Sequence, residues 1–105
     1  MPADLPLVLD RVRLLLAASS RDASAPDVEE MEHTLTDGYA AALALEGECL
    51  RITRRMTELS RDSTRPAELR GLARRLHGAE GDLSELRQLL EVLRRRAEDA
   101  RRSSA

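Results

Sequence analysis

Two heptad tracts constrain the fold of this chain more than any other feature of its sequence. In residues 28–59 and 69–100, apolar or small residues recur at alternating spacings of three and four without a slip. Such spacing places about one residue per turn on one side of a helix, which is typical of helices that pair along a seam. The seam residues are Val28, Met31, Leu35, Gly38, Ala42, Leu45, Cys49, Ile52, Met56 and Leu59, then Leu69, Leu72, Leu76, Ala79, Leu83, Leu86, Leu90, Leu93, Ala97 and Ala100. The pattern predicts two long helices.

The two tracts match layer by layer when the second is reversed. Leu59 then faces Leu69, and Gly38 faces Leu90. A small residue opposite a large one is what interdigitated packing requires. Each tract would be about 48 Å long at 1.5 Å per residue. The sequence therefore predicts an all-α fold, a long antiparallel helical hairpin of coiled-coil-like character.

Local signals set the predicted boundaries within a single domain, residues 1–105. Six apolar residues fall on one face of a short amphipathic helix at 5–18: Leu5, Val8, Leu9, Val12, Leu15 and Leu16. Ser24 is a capping residue and Pro26 suits a first turn, so the second helix is predicted at 26–60. The third is predicted at 66–101, where Pro66 again suits the first turn, and 102–105 as a tail.

Composition indicates that the hairpin is not self-sufficient. Apolar residues make up 42% of the chain and charged residues 34%, and Tyr39 is the single aromatic residue. This balance is typical of neither a disordered chain nor a membrane protein. A small Leu- and Ala-based core often needs a second copy to bury enough surface.

Several apolar residues lie outside the seam, where the pairing of the two long helices cannot bury them. The N-terminal helix, about 20 Å long, has the reach to fold back from the open end over Tyr39, Leu43, Leu89 and Val92, or else it packs on a partner chain. Leu50 would remain uncovered, and Gly71, Gly78 and Gly81 in the third helix indicate either a bend or a stripe where another helix approaches closely. We therefore expect a homodimer, joined through the side of Leu50, Gly71 and Gly78 into a four-helix bundle. The full interface set is Tyr39, Leu43, Leu50, Gly71, Gly78, Leu89 and Val92.

Charge is segregated along the chain, although the net charge is only −2. Residues 27–50 hold seven acidic side chains and no Arg, whereas residues 51–75 hold eight Arg against three acidic side chains. The basic turn end is interpreted as a solvated face, as a surface that lies along the acidic helix of an antiparallel partner, or as a polyanion site. The candidate polyanion contacts are Arg51, Arg54, Arg55, Arg70, Arg74 and Arg75. The absence of interleaved aromatics disfavours nucleic acid.

Residues that could carry chemistry do not converge in the predicted hairpin. Glu30 and His33 have the Glu-x-x-His spacing of di-iron bundles, but they lie on the outer face, and His77 lies far along the hairpin. Four carboxylate side chains lie near the level of Cys49 in the predicted hairpin, but they fall on opposite flanks of the seam: Glu46, Glu48, Glu80 and Asp82. Cys49 itself is expected to fill the seam as a small apolar residue. Helical chorismate mutases use arginines, but also usually a lysine, which this chain lacks. We expect no enzymatic activity, no cofactor and no metal.

The first twenty residues predict neither a signal peptide nor a membrane anchor. Asp4, Asp10, Arg11 and Arg13 stand before or within the apolar run. A signal peptide requires a basic start and an uninterrupted apolar segment. Together with a lone cysteine, which suits a reducing compartment, this predicts a cytoplasmic protein with no membrane partner.

The stretch HTLTDGYAAALALEGECLRITRRM, followed by a Pro-started Leu/Arg helix, resembles small helical-hairpin proteins of actinobacteria. The resemblance covers residues 28–97 and implies a hairpin fold without an assigned activity. In size the chain also resembles the Trp-x-Gly secretion family. Its turn reads SRDSTRP and lacks the signature tryptophan and glycine, so that function is not carried over.

The expected function is a protein–protein interaction or assembly module, with another protein as a possible partner. The alternative is a nucleic-acid-associated regulator that uses the basic turn end.

Overall fold

The computed structural model describes residues 5–18, 28–61 and 65–104, which form three helices without a strand. They are α1 (Leu5–Ala17), α2 (Val28–Ser60) and α3 (Pro66–Ser104). The prediction of an all-α fold is therefore confirmed for the described part of the chain. The segments rich in Leu, Ala, Glu and Arg favour helix because these residues lose little side-chain freedom in it.

The C-terminal end of α3 lies beyond its predicted position. α3 continues to Ser104, so the prediction that residues 102–104 form a tail is wrong. No Gly or Pro follows Ala100 to end the helix, and Arg101 and Arg102 in its last turn favour the negative end of the helix dipole. The predicted cap at Ser24 and Pro26 lie outside the described residues.

α2 and α3 pack along one another, and ion pairs between them occur in reverse sequence order. From the turn outward, the pairs are Arg55–Glu68, Glu48–Arg75, Glu46–Arg87 and Glu32–Arg101. The beginning of α3 therefore lies beside the end of α2. The resulting molecule is elongated, with extents of 61 × 19 × 18 Å.

The buried apolar residues form two clusters along this length. The larger cluster contains residues of all three helices, among them Val12, Leu45 and Leu93, each 0% exposed. The smaller cluster, near the turn, consists of Ile52, Leu59 and Leu72, with Met56, Leu69 and Leu76 packed against it. Because α1 reaches only the half of the molecule remote from the turn, the turn end has a core of two helices.

α1 packs on one side of the α2–α3 pair and contacts both helices. Arg11 binds Asp37 of α2 at 3.0 Å, and Arg13 forms an ion pair with Glu85 of α3. On α2, Tyr39 lies two residues beyond Asp37 and is rotated from it by about 200°. The prediction that α1 covers Tyr39 and Leu43 is therefore wrong, because those residues lie on the side of α2 that α1 does not contact.

Candidate interaction surface

An exposed apolar stripe runs along α2. Tyr39, Leu43 and Leu50 are 48%, 69% and 58% exposed, and their spacings of four and seven place them on one side of the helix. We call these three residues the outer stripe. Since most leucines of α2 and α3 are buried or half-buried, the stripe is a local departure from the pattern of the molecule.

The predicted interface set is divided between two sides of the α2–α3 pair. Leu50 lies four residues after Glu46, which pairs with Arg87, whereas Gly71 lies four residues before Arg75. Arg75 pairs with Glu48, and Glu46 and Glu48 are about 200° apart on α2. Leu50 therefore cannot share one patch with Gly71. The same spacing rule places Gly78 with Gly71, so the predicted combination of Leu50 with both glycines in one interface is wrong.

The side that carries the two glycines is also the side of α1. A Cβ added at Gly71 or Gly78 would meet nothing within 4 Å, so no described segment approaches the helix there. Leu89 is half-buried and packs against the large cluster, while Val92 remains 43% exposed. This side is thus covered in its α1 half and open beyond it.

The six candidate arginines at the turn end are exposed but differ in their contacts. Arg51, Arg55 and Arg75 are held in ion pairs with Glu48, Glu58 or Glu68. Among the described residues, no ion pair is formed by the other three: Arg54, Arg70 and Arg74. The turn end is therefore partly neutralised, and three guanidinium groups remain available to a partner.

Glu48 joins two of these arginines across the helix pair. Its carboxylate accepts hydrogen bonds from Arg51 at 2.9 Å and from Arg75 at 3.0 Å. The hydrogen bond from Arg51, helped by the charge of Arg75, holds the pKa of Glu48 below its usual value of 4.5. Glu48 is therefore engaged as a structural anion that links α2 to α3.

Cys49 lies half-buried in the α2 seam and packs against the large cluster. Burial raises the pKa of its thiol, and the nearby carboxylates of Glu80 and Glu48 raise it further. A reactive cysteine instead needs a lowered pKa and a cationic neighbour. The environment thus favours the packing role expected from the sequence.

His33 and Glu30 line an open depression of about 520 Å³ between α1 and α2, together with Arg11, Glu29 and Thr34. His77 lies on α3, far from this depression along the chain. Within residues 5–18, 28–61 and 65–104, no group of three or more His, Cys, Asp or Glu side chains is arranged to hold a metal ion. None of the three described helices contains a stretch apolar enough to cross a membrane.

Two further exposed leucines were not assigned from the sequence. Leu7 and Leu14 are 64% and 72% exposed and lie seven residues apart on the side of α1 that faces away from the core. Their spacing was visible in the sequence, but two residues separated by a full heptad are too few to define a stripe. Leu7 and Leu14 are suitable control positions for substitutions in the outer stripe, because they are also leucines and are similarly exposed.

Comparisons with protein-family models, with curated proteins and with solved structures find no match to this chain. The resemblance of residues 28–97 to actinobacterial helical hairpins thus stays a sequence-based prediction.

Proposed function

We propose that this chain is a non-enzymatic protein–protein interaction or assembly module that acts as a homodimer in the cytoplasm. In this proposal α2 and α3 form a coiled-coil-like antiparallel hairpin, and two hairpins associate into a four-helix assembly through the outer stripe. The observation that carries the proposal is the exposure of Tyr39, Leu43 and Leu50 on one side of α2. Burial of apolar surface stabilises association by roughly 25 cal/mol per Å² before the entropy cost of binding is subtracted.

The position of α1 supports a partner chain on the stripe. α1 occupies the opposite side of the α2–α3 pair, where Arg11 and Arg13 hold it to Asp37 and Glu85. α1 cannot reach the outer stripe without leaving these contacts. A second copy presents the same stripe, and self-complementary patches of this kind are the basis of two-fold symmetric dimers.

Sedimentation equilibrium of the full chain at tens of micromolar tests the proposal, with Leu50→Glu as the disrupting variant. We expect a dimer for the wild type and a shift toward monomer for the variant, because a buried unpaired carboxylate is costly. Leu7→Glu is the matched control, since it makes the same change at a similarly exposed leucine of α1. Circular dichroism should report unchanged helicity for both variants. A monomeric wild type contradicts the dimer.

A polyanion-binding regulator is the second candidate, supported by the absence of ion pairs at Arg54, Arg70 and Arg74 among the described residues. A gel shift with random DNA and RNA at low and high salt tests it. Binding through these guanidinium groups should weaken steeply with salt. Absence of a shift at low salt would eliminate this candidate.

A further inference from the structure

The outer face of α2 carries a second heptad pattern, distinct from the seam toward α3. Its positions have spacings of four, three, four and three and carry no charge: Thr36, Ala40, Leu43, Gly47 and Leu50. From Ala40 onward, small and large side chains alternate. All are exposed except Gly47, which is half-buried. A helix with two such seams is suited to contact two other helices along its length. One of them is α3, and the second seam has no partner among the described residues.

We propose that the second seam binds α2 of a second copy in antiparallel orientation, with the two-fold axis at the level of Leu45. This inference rests on the proposed homodimer and specifies its geometry. About this axis, Leu43 packs on Gly47 of the partner subunit, and Leu50 packs on Ala40 of the partner subunit. Each large side chain then meets a small residue, which lets the two backbones approach closely. Tyr39 flanks the seam and covers its edge.

Charge selects the antiparallel orientation over the parallel one. Residues 28–50 of α2 hold six acidic side chains and no Arg, whereas residues 51–60 hold three Arg and one Glu. About the axis at Leu45, antiparallel packing lays residues 29–39 of each α2, which hold four acidic side chains, beside residues 51–61 of the other, which hold four Arg and one Glu. Parallel packing would place like charges together. The same axis brings Glu29 opposite Arg61 of the partner subunit. Within the described ranges, neither Glu29 nor Arg61 forms an ion pair.

A substitution at Gly47 should disturb the proposed dimer without disturbing the fold of the single chain. A Cβ added there would meet only Nη1 of Arg51, at 3.4 Å, which is ordinary contact with the far end of a flexible side chain. A Cβ at this position therefore causes no clash within one chain, and a residue other than glycine should favour the helix. In the proposed dimer, the same residue would occupy the place of Leu43 of the partner subunit.

The first experiment is sedimentation equilibrium of Gly47→Leu, with Gly81→Leu as its control. A Cβ at Gly81 meets nothing within 4 Å, and this glycine lies on α3, away from the proposed contact. We expect Gly47→Leu to weaken the dimer at least about tenfold, which corresponds to 1.4 kcal/mol, while its thermal stability as a monomer is unchanged or raised. Gly81→Leu should leave the dimer intact. An unchanged dimer for Gly47→Leu would overturn the proposed packing.

The second experiment measures the register by disulfide formation in a Cys49→Ala background. Chains with Leu43→Cys are mixed with chains with Gly47→Cys under mild oxidation. We expect the mixed 43–47 cross-link to form faster than either symmetric cross-link, because symmetric pairs would be offset by four residues, or about 6 Å along the axis. Predominant 43–43 and 47–47 cross-links in a protein that sediments as a dimer would refute this geometry but not the dimer. A monomeric wild type would refute both.

Discussion

At the scale of single residues, the described part of the chain shows two distinct uses of glycine. A Cβ added at Gly38 would overlap Cδ2 of Leu90 and lie 3.3 Å from its Cγ and Cδ1. Leu90 is itself 2% exposed and has little room to move. At Gly78, by contrast, an added Cβ meets nothing within 4 Å. Gly38 therefore permits a close helix contact, whereas no neighbouring side chain requires a glycine at position 78.

Alanine substitution should have opposite effects at these two glycines. Gly38→Ala should lower the free energy of unfolding by about 1–3 kcal/mol, because overpacking a core outweighs the gain in helix propensity. Gly78→Ala should raise it by up to about 1 kcal/mol through helix propensity alone. Urea denaturation at one fixed protein concentration measures both. If both variants were stabilised equally, Leu90 would not pack tightly on Gly38.

The sequence predicted the Gly38–Leu90 contact because a strict heptad determines which residues face each other. It did not predict the exposure of Leu7 and Leu14, since single leucines outside an amphipathic face carry no periodic signal. It also could not distinguish paired from unpaired arginines. Arg54 and Arg55 are neighbours in sequence, yet only Arg55 reaches Glu58 and Glu68, because adjacent helical residues are turned apart by about 100°.

At the scale of helices, Glu48 links α2 to α3 through an anion that becomes neutral in acid. Because its pKa in the folded chain lies below the usual 4.5, the folded state favours the charged form. The associated stabilisation is fully present above pH 4.5 and is lost as the pH falls through the lowered folded pKa. Glu48→Gln should therefore lower stability at pH 7 and reduce the loss of stability that occurs as the pH falls below 4.5. Thermal melts from pH 7 into the acid range measure the effect. If the variant and the wild type lost stability equally in acid, Glu48 would not contribute to the acid sensitivity of the fold.

α1 and the outer stripe should be separable, because they lie on opposite sides of the α2–α3 pair. Val12 is 0% exposed within the large cluster, so Val12→Asp should undock α1 and lower the free energy of unfolding by about 3 kcal/mol. Dimerisation through the outer stripe should persist. Hydrogen exchange along α1, together with sedimentation, reports the two effects independently. A simultaneous loss of the dimer would indicate that α1 takes part in association.

The heptad patterns could not predict which side of the α2–α3 pair α1 packs against. Both sides of the α2–α3 pair carry apolar residues, so hydrophobic periodicity alone does not distinguish them. The structure shows that Arg11 and Arg13 of α1 bind Asp37 and Glu85, which lie on the side opposite the outer stripe. Ion-pair complementarity between distant segments depends on the register of three helices at once, and periodicity within one segment does not determine it.

At the scale of the whole molecule, the described chain is an elongated rod with a three-helix half and a two-helix half. The smaller turn-end cluster has less apolar burial to stabilise it, so association near the middle of α2 would support the half that α1 does not reach. The segregated charge of α2 fits this view, since an antiparallel partner would lay its acidic part beside the basic end. Shape, charge and the outer stripe thus all favour a second copy as the occupant.

Sedimentation equilibrium of the wild type, Leu43→Glu and Leu14→Glu most directly tests the claim that the outer stripe of α2 forms a homodimer. Leu43 and Leu14 are 69% and 72% exposed, so both variants make the same change at nearly equal exposure. We predict a dimer at tens of micromolar for the wild type and Leu14→Glu, and a monomer of unchanged helicity for Leu43→Glu. A monomeric wild type, or a Leu43→Glu variant that dimerises as tightly as Leu14→Glu, would contradict the claim.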